Sequence, residues 1–158
     1  MPAHTRVWEG WPGGKDGAWF ARIYDSLFRP GEHRSWELDV LVERWQARRK
    51  RRILDLGAAS GRSSLAFAAA GFSVVAVERE PTFVKLFRRH LRSPSWRSLA
   101  GRVEVLRDNI CTFATEVAAE RVFSNAYLNL PHSSRILFCR NLAGVVAHVV
   151  AADVLGIV

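Results

Sequence analysis

The sequence predicts an α/β fold, a three-layer sandwich in which helices cover both faces of a mostly parallel sheet. After residue 50, short apolar segments alternate with segments of helical periodicity, and glycine or proline stands where they meet. Strands that are separated by helices pair in parallel, because each connection has to return along the sheet before the next strand begins. The 158 residues suffice for one domain with a buried core.

Residues 1–50 are predicted to form a helical arm or cap beside that sheet. Apolar residues recur at helical spacing over 16–28 and 35–48, with a break at Arg29-Pro30-Gly31 and Ser35 as a candidate N-cap. We expect both apolar stripes to be buried and the six tryptophans to pack in the core and between helices. The stripe positions are Trp19, Phe20, Ile23, Tyr24 and Leu27 in the first helix and Trp36, Leu38, Leu41, Val42 and Trp45 in the second.

Residues 51–158 are predicted to form the sheet domain. Gly71 is expected to end one helix as its C′ residue, and Pro81 to begin the next. The predicted strands cover 53–56, 73–77, 102–106, 122–127 and 149–154. The predicted helices between them cover 62–70, 82–91, 112–119 and 133–146. Right-handed crossovers leave few topologies for such a chain.

A glycine turn follows the first predicted strand, where residues 53–62 read ILDLGAASGR. Gly57 and Gly61 let the backbone turn sharply and approach a ligand, and the next helix begins there with unpaired N–H groups. Asp55 stands just before the turn, where its carboxylate can meet a cation. S-adenosylmethionine (SAM) carries an ammonium and a sulfonium, whereas Asp55 would repel the pyrophosphate of a dinucleotide. The turn therefore favours SAM.

Acidic residues also follow the next two strands. Glu78 lies 21 residues after Gly57, and its carboxylate can accept hydrogen bonds from both hydroxyls of a ribose. Asp108, with Asn109 beside it, follows the third strand and can accept from the exocyclic amine of a purine. Because the carboxyl ends of parallel strands share one edge, we expect Asp55, Glu78 and Asp108 to converge in the crevice where open α/β sheets bind ligands.

These segments resemble the class I SAM-dependent methyltransferases of the small-molecule type, whose glycine motif reads approximately D-x-G-x-G-x-G. The likeness covers about residues 20–155: 53–62 match the glycine motif, 74–78 the ribose-binding strand and 103–109 the adenine-binding strand. The resemblance implies a Rossmann-like sheet of order 3-2-1-4-5, with SAM as cofactor and S-adenosylhomocysteine as product. The expected cofactor-binding residues are Asp55, Gly57, Ala58, Ser60, Gly61, Glu78, Arg79, Asp108, Asn109 and Asn125. The expected substrate-binding residues are Tyr24, Tyr127 and His132.

Methyl transfer to a small molecule is the activity that the resemblance implies. Catalysis would depend on proximity, with the acceptor aligned to the methyl group and water excluded. The substrate would lie between the N-terminal helices and the loop at 127–132. The sequence identifies no catalytic base, and we expect no metal. No Asn/Asp-Pro-Pro-Tyr/Phe motif follows the fourth strand, which argues against methylation of an exocyclic base amine.

Two features depart from the family pattern. Ala59 stands where the middle glycine is usual. The family also adds a hairpin of strands six and seven, whereas this sequence stops at Val158, five residues after Asp153. We therefore expect a truncated fold, or one that a partner completes. The bare edge strand at 149–154 favours pairing, for instance as a homodimer.

Three other functions compete with methylation of a small molecule. A short-chain dehydrogenase is disfavoured, because that family needs a lysine four residues after a tyrosine and lysine occurs only at 15, 50 and 85. A non-catalytic or partner-completed SAM-binding module stays open. An RNA or DNA methyltransferase also stays open, since the net charge is +8 and 20 of the 23 basic residues are arginine. It is not favoured, because the densest basic cluster, 48–52, has no interleaved aromatic residues.

Compartment and redox state follow from simpler features. No apolar run reaches the roughly 18 residues that span a bilayer, and residues 1–10 lack the apolar core of a signal peptide. We therefore expect a cytoplasmic protein without a membrane partner. Cys111 and Cys139 show no metal-binding or redox spacing and are expected to be reduced.

Overall fold

A computed structural model describes residues 14–31, 36–111, 119 and 121–123 of the chain. Helices and strands alternate there in the predicted order. The helices are α1 (Gly14–Leu27), α2 (Trp36–Ala47), α3 (Arg62–Ala69) and α4 (Pro81–Arg92), with a 3₁₀ helix at Arg97–Arg102. The strands are β1 (Arg52–Leu56), β2 (Ser73–Glu78), β3 (Val103–Arg107) and β4 (Arg121–Phe123).

The four described strands form one parallel sheet in the order β3-β2-β1-β4. This confirms the predicted α/β fold and the first four strands of the predicted Rossmann-like order. Because β1, β2 and β3 follow one another in a single direction across the sheet, right-handed crossovers place α3 and α4 on the same face. Leu65 of α3 and Phe87 of α4 accordingly belong to one core cluster.

The residues predicted to end α3 and to begin α4 do so in the structure. Gly71, with φ of 98°, follows α3, and its N–H donates to the carbonyl of Ala68 while that of Phe72 donates to Phe67. These two bonds are the Schellman arrangement that ends many helices. Pro81 begins α4, and the Glu80 side chain caps this helix by accepting from the N–H of Thr82. The 3₁₀ helix before β3 was not predicted.

The core lies between the sheet and the helices. Both inner strands are buried along almost their whole length, as expected for a parallel sheet. One cluster joins α2 and α3 to β1 and β2 through the rings of Trp45, Phe67 and Phe72, whose centroids are 5.3 to 6.3 Å apart. Ring contacts of this kind add to the free energy gained by burial.

The predicted apolar faces of the first two helices were partly wrong. Leu38 and Trp45 of α2 are buried as expected, but Trp36 is 70% exposed because it precedes Leu38 by two residues, about 200° around the helix. In α1 the face that packs contains Ala21 and Asp25 instead. The predicted stripe of α1 is exposed at Trp19, Phe20, Ile23 and Leu27 and half-buried at Tyr24.

Several predictions lie outside the described residues. They include the helices at 112–119 and 133–146, apart from Ala119, and the strand at 149–154 with its pairing edge. The boundary between the arm and the sheet domain stays a prediction. In the described part of the chain, none of the helices has the length and apolar character needed to cross a membrane.

Candidate functional site

The parallel register brings the ends of β1, β2 and β3 together. Leu56 pairs with Val77, and Glu78 pairs with Arg107, so each strand ends within about one residue of its neighbour. The N–H of Asp108 extends the pairing by donating to the carbonyl of Glu78 at 3.1 Å. The glycine turn, Glu78 and the turn at Asp108 therefore meet at one carboxyl edge, as the sequence predicted.

The glycine turn is attached to β2 by its backbone. Gly57 and Ala58 both donate from N–H to the carbonyl of Val77, at 2.9 and 3.2 Å. Gly57 and Gly61 have φ of 76° and 95°, which residues other than glycine rarely adopt. A Cβ on Gly61 would overlap the buried ring of Phe87, so this glycine is needed for the contact between the turn and α4.

Ala59, which stands where the family usually has its middle glycine, adopts a backbone conformation that favours glycine. Its φ is 49°, in the left-handed region. Its N–H donates to Oε2 of Glu78 at 2.9 Å, which ties the middle of the turn to the end of β2. The alanine is therefore accommodated in the turn at a cost in backbone strain.

We expect Ala59→Gly to raise the free energy of unfolding by about 0.5 to 1 kcal/mol, because relief of the strain exceeds the added entropy of the unfolded chain. Denaturant titration measures this difference. The matched control is Ala58→Gly, which should lower stability, since Ala58 is buried and has no positive φ. A destabilising Ala59→Gly would show that the alanine is not strained.

Asp55 lies inside the fold rather than on its surface. It is 1% exposed, and its Oδ2 accepts a 2.5 Å hydrogen bond from Oγ of Ser64 in α3. Burial raises the pKa of Asp55 to about 7, the Ser64 hydrogen bond lowers it, and the negative charge of Glu78 raises it further. Asp55 thus fixes α3 to β1. Its contact with a cofactor stays a prediction.

Glu78 holds the two turns of the site. Its Oε2 accepts from Ala59, and its Oε1 accepts from the N–H of Glu80 at 2.8 Å. Burial raises the pKa of Glu78, while these backbone hydrogen bonds and nearby Arg79 lower it. A carboxylate has about four lone-pair positions, so the backbone amides of Ala59, Glu80 and Arg79 leave an acceptor position for a ligand.

Asp108 and Asn109 shape the turn after β3. Oδ1 of Asp108 accepts from the N–H of Asn109 at 2.7 Å, and Oδ1 of Asn109 accepts from the N–H of Cys111 at 2.9 Å. Arg79, another expected cofactor ligand, is exposed. Burial raises the pKa of the Cys111 thiol, and Arg79 lowers it, which places this arginine beside the same turn.

An aromatic group from α1 and α4 borders the site. The ring of Tyr24 lies 4.8 Å from Phe28 and meets Phe83 edge-on at 5.5 Å. Burial raises the pKa of Tyr24, Arg62 lowers it, and the carboxylates of Asp55 and Glu78 raise it. Tyr24 therefore lies in the electrostatic field of the predicted site residues, although its sequence position also suited core packing.

Arg62 is a site residue that the sequence reasoning missed. It is the first residue of α3, half-buried, with its guanidinium carbon 5.5 Å from the centroid of the Phe28 ring. A cation at the N-terminal end of a helix opposes the helix dipole, and the first turn of α3 contains no acidic residue. That unfavourable placement was the available signal in the sequence that Arg62 is more than a surface residue.

Ser60 is 0% exposed, and its Oγ has no hydrogen-bond partner within the described segments. Such a buried hydroxyl is unfavourable until something bonds to it. Three further predicted residues, Asn125, Tyr127 and His132, lie outside the described residues.

Solved structures that resemble this chain are methyltransferases. A SAM-bound amino pentose methyltransferase of Micromonospora echinaspora, involved in calicheamicin biosynthesis, is 24% identical with a TM-score of 0.60 over 81% of this chain and 52% of that one. The fold is that of the class I SAM-dependent methyltransferases. A SAM-bound glycopeptide N-methyltransferase is 20% identical (TM-score 0.58, 72% and 50% covered). A mitomycin 7-O-methyltransferase is also 20% identical (TM-score 0.53, 61% and 28% covered).

The chain spans about half the length, or less, of these methyltransferases. No family model and no curated protein matches the sequence. The methyltransferase fold predicted from the glycine turn and the acidic strand ends is thus confirmed from structure. The cofactor and substrate roles of individual residues in this methyltransferase fold stay predictions.

Proposed function

We propose that this protein is a SAM-dependent methyltransferase that acts on a small molecule. The parallel register carries the proposal, because it brings the glycine turn, Glu78 and the Asp108 turn to the edge where open α/β sheets bind ligands. The names of the similar structures support it: their acceptors are an amino pentose, a glycopeptide and mitomycin.

The charges at this edge suit SAM. Its ammonium and sulfonium are cations, and Glu78 accepts backbone amide hydrogen bonds in the manner of a carboxylate, whose negative charge would favour a cation there. Its methionine carboxylate requires a cation, which Arg62 would provide at the start of α3. A dinucleotide would bring a pyrophosphate toward Glu78, which is unfavourable.

Each residue has a definite binding role in the proposal. Glu78 would accept from a ribose hydroxyl at the acceptor position that its amide contacts leave free. Asp108 and Asn109 would border the adenine, with their side chains fixing the turn whose backbone faces the base. Ser60 would gain the hydrogen-bond partner that its buried hydroxyl lacks in the described structure.

Bound SAM supplies a methyl group on a sulfonium that is already electrophilic, so the chain has mainly to align the acceptor and exclude water. Tyr24, Phe28 and Phe83 provide an apolar border for this purpose. Burial raises the pKa of Tyr24 above its ordinary value, so its phenol is protonated at neutral pH and can donate a hydrogen bond but is a poor proton acceptor. Asn125, Tyr127 and His132 are proposed to line the acceptor side.

The position of the basic cluster 48–52 favours a small molecule over a nucleic acid. The cluster precedes and begins β1, whereas the site follows the opposite end of that strand. The four residues 53–56 lie between the two, so Arg52 and Gly57 are about 16 Å apart. A phosphate backbone bound at the cluster would therefore lie at the other edge of the sheet.

Calorimetric titration with SAM and S-adenosylhomocysteine tests the proposal. We expect the wild type to bind both, and Glu78→Gln to bind roughly 30-fold more weakly, because it loses charge-assisted hydrogen bonds. Glu104→Gln makes the same change in charge at an exposed position of β3 and should bind normally. Turnover is then tested by measuring the S-adenosylhomocysteine formed from SAM when sugar amines or phenols are added as methyl acceptors.

Failure of the wild type to bind either nucleoside, or tighter binding of NAD, would contradict the proposal. Normal binding by Glu78→Gln would contradict the role of Glu78 alone. Binding of SAM without turnover on any acceptor would favour the non-catalytic SAM-binding module that the sequence left open.

A further inference from the structure

We propose that His90 is a positioning residue, which fixes α1 to α4 through Asp25 and so keeps Tyr24 at the candidate cofactor site. Nε2 of His90 lies 2.7 Å from Oδ1 of Asp25, and the two side chains are 13% and 7% exposed. Arg89 adds a longer contact, with its NH2 3.8 Å from Oδ2 of Asp25. The inference rests on the proposed function insofar as it concerns cofactor binding.

Asp25 occupies an unfavourable position unless it is paired. It lies in the last turn of α1, where the helix dipole disfavours a negative charge, and that turn contains no basic residue. A buried carboxylate is also costly without a partner. His90 and Arg89 lie in the last turn of α4, where positive charge is favoured. The contact with α4 therefore offsets the unfavourable placement of the Asp25 carboxylate, which no basic residue in the last turn of α1 can do.

This contact matters because few side chains of α1 are buried against the described part of the chain. Ala21 joins Phe83 and Leu86 of α4 in a small cluster, and Tyr24 packs beside it. The larger side chains Trp19 and Leu27 are 60% and 56% exposed and so contribute little burial. Loss of one buried polar contact should then release much of the helix.

Tyr24 connects the contact to the site. It is adjacent to Asp25 in α1, and it packs against the same cluster of Ala21, Phe83 and Leu86 as Ala59 of the glycine turn. If Asp25 separates from His90, Tyr24 leaves Phe83 and the border of the site opens. Within the described residues, His90 makes no hydrogen bond or ion pair with the glycine turn, so its effect on a ligand acts through α1.

Hydrogen exchange and S-adenosylhomocysteine affinity of three variants test the inference. We expect His90→Ala to accelerate exchange of the α1 amides about tenfold and to weaken S-adenosylhomocysteine binding about tenfold, with exchange in β1 and β2 unchanged. His90→Gln retains an N–H donor and should restore both values. Arg88→Ala removes a neighbouring side chain of α4 that contacts the carbonyl of Val105 on β3, and should leave α1 unaffected.

Unchanged exchange of α1 in His90→Ala would overturn the inference, as would faster exchange with unchanged affinity. Equal losses in His90→Gln and His90→Ala would also overturn it, because they would show that ring packing rather than the donated hydrogen bond holds α1. If the wild type does not bind S-adenosylhomocysteine, the proposed function fails, and the exchange data still decide whether His90 holds the helix.

Discussion

Replacement of Gly61 by alanine is expected to lower the free energy of unfolding by about 3 to 5 kcal/mol. The added Cβ would lie 2.7 Å from Cζ of the Phe87 ring and closer still to Cε2 and Cδ2. Phe87 is 0% exposed, and the close packing of protein interiors resists displacement of such a buried ring. The positive φ of Gly61 adds backbone strain to this overlap.

Gly71→Ala separates the two causes. Gly71 has a similar φ of 98°, but an added Cβ there meets no atom within 4 Å, so only the backbone strain of about 1 to 2 kcal/mol remains. In the Gly61→Ala background, Phe87→Leu should recover part of the loss, because the smaller side chain relieves the overlap. Equal destabilisation at Gly61 and Gly71 in denaturant titrations would contradict this explanation.

The second large effect concerns the pH dependence of stability. The folded state raises the pKa of Asp55 from 3.8 to about 7, so it retains a proton that the unfolded chain loses above pH 4. Stability contributed by this group is therefore fully present below pH 3.8 and is lost as pH rises toward 7. The full cost of ionising the buried carboxyl is about 4 kcal/mol.

Asp55→Asn removes this titration. We expect the free energy of unfolding of the variant, relative to the wild type, to rise by about 4 kcal/mol between pH 4 and pH 8. The comparison across pH cancels any constant cost of the amide beside Ser64. For Glu104→Gln, at an exposed position, the free energy of unfolding should depend on pH in nearly the same way as that of the wild type. Parallel curves for Asp55→Asn and the wild type would show that Asp55 ionises normally in the fold.

The sheet and its edge could be predicted because their signals are local. Residues 53–56 and 73–77 are short, mostly apolar segments, the first interrupted only by Asp55 and the second beginning with Ser73, and glycine or proline marks the adjoining helix ends. A parallel register then places the residues after each strand at one edge, so Glu78 and Asp108 meet there by topology alone.

Contacts between distant elements could not be predicted. Asp25 and His90 are 65 positions apart, and neither belongs to a recognised motif. The predicted packing face of α1 was wrong because the spacing of its bulky apolar residues indicated a different side of the helix. The side that is buried contains small Ala21 and charged Asp25. Nothing in the sequence showed that Asp55 bonds to Ser64, although a nine-residue separation across the turn made the contact feasible.

The most direct test is to map S-adenosylhomocysteine onto isotope-labelled protein by backbone amide chemical shifts. A ligand held at the carboxyl edge of the sheet should shift the amides of 57–61, 78–80 and 108–111 most strongly, and leave those of 48–52 and 71–73, at the opposite edge, unchanged. Saturable shifts confined to the first three segments are the predicted result. Shifts centred on the opposite edge, or none at millimolar ligand, would contradict a cofactor site built from the glycine turn and Glu78.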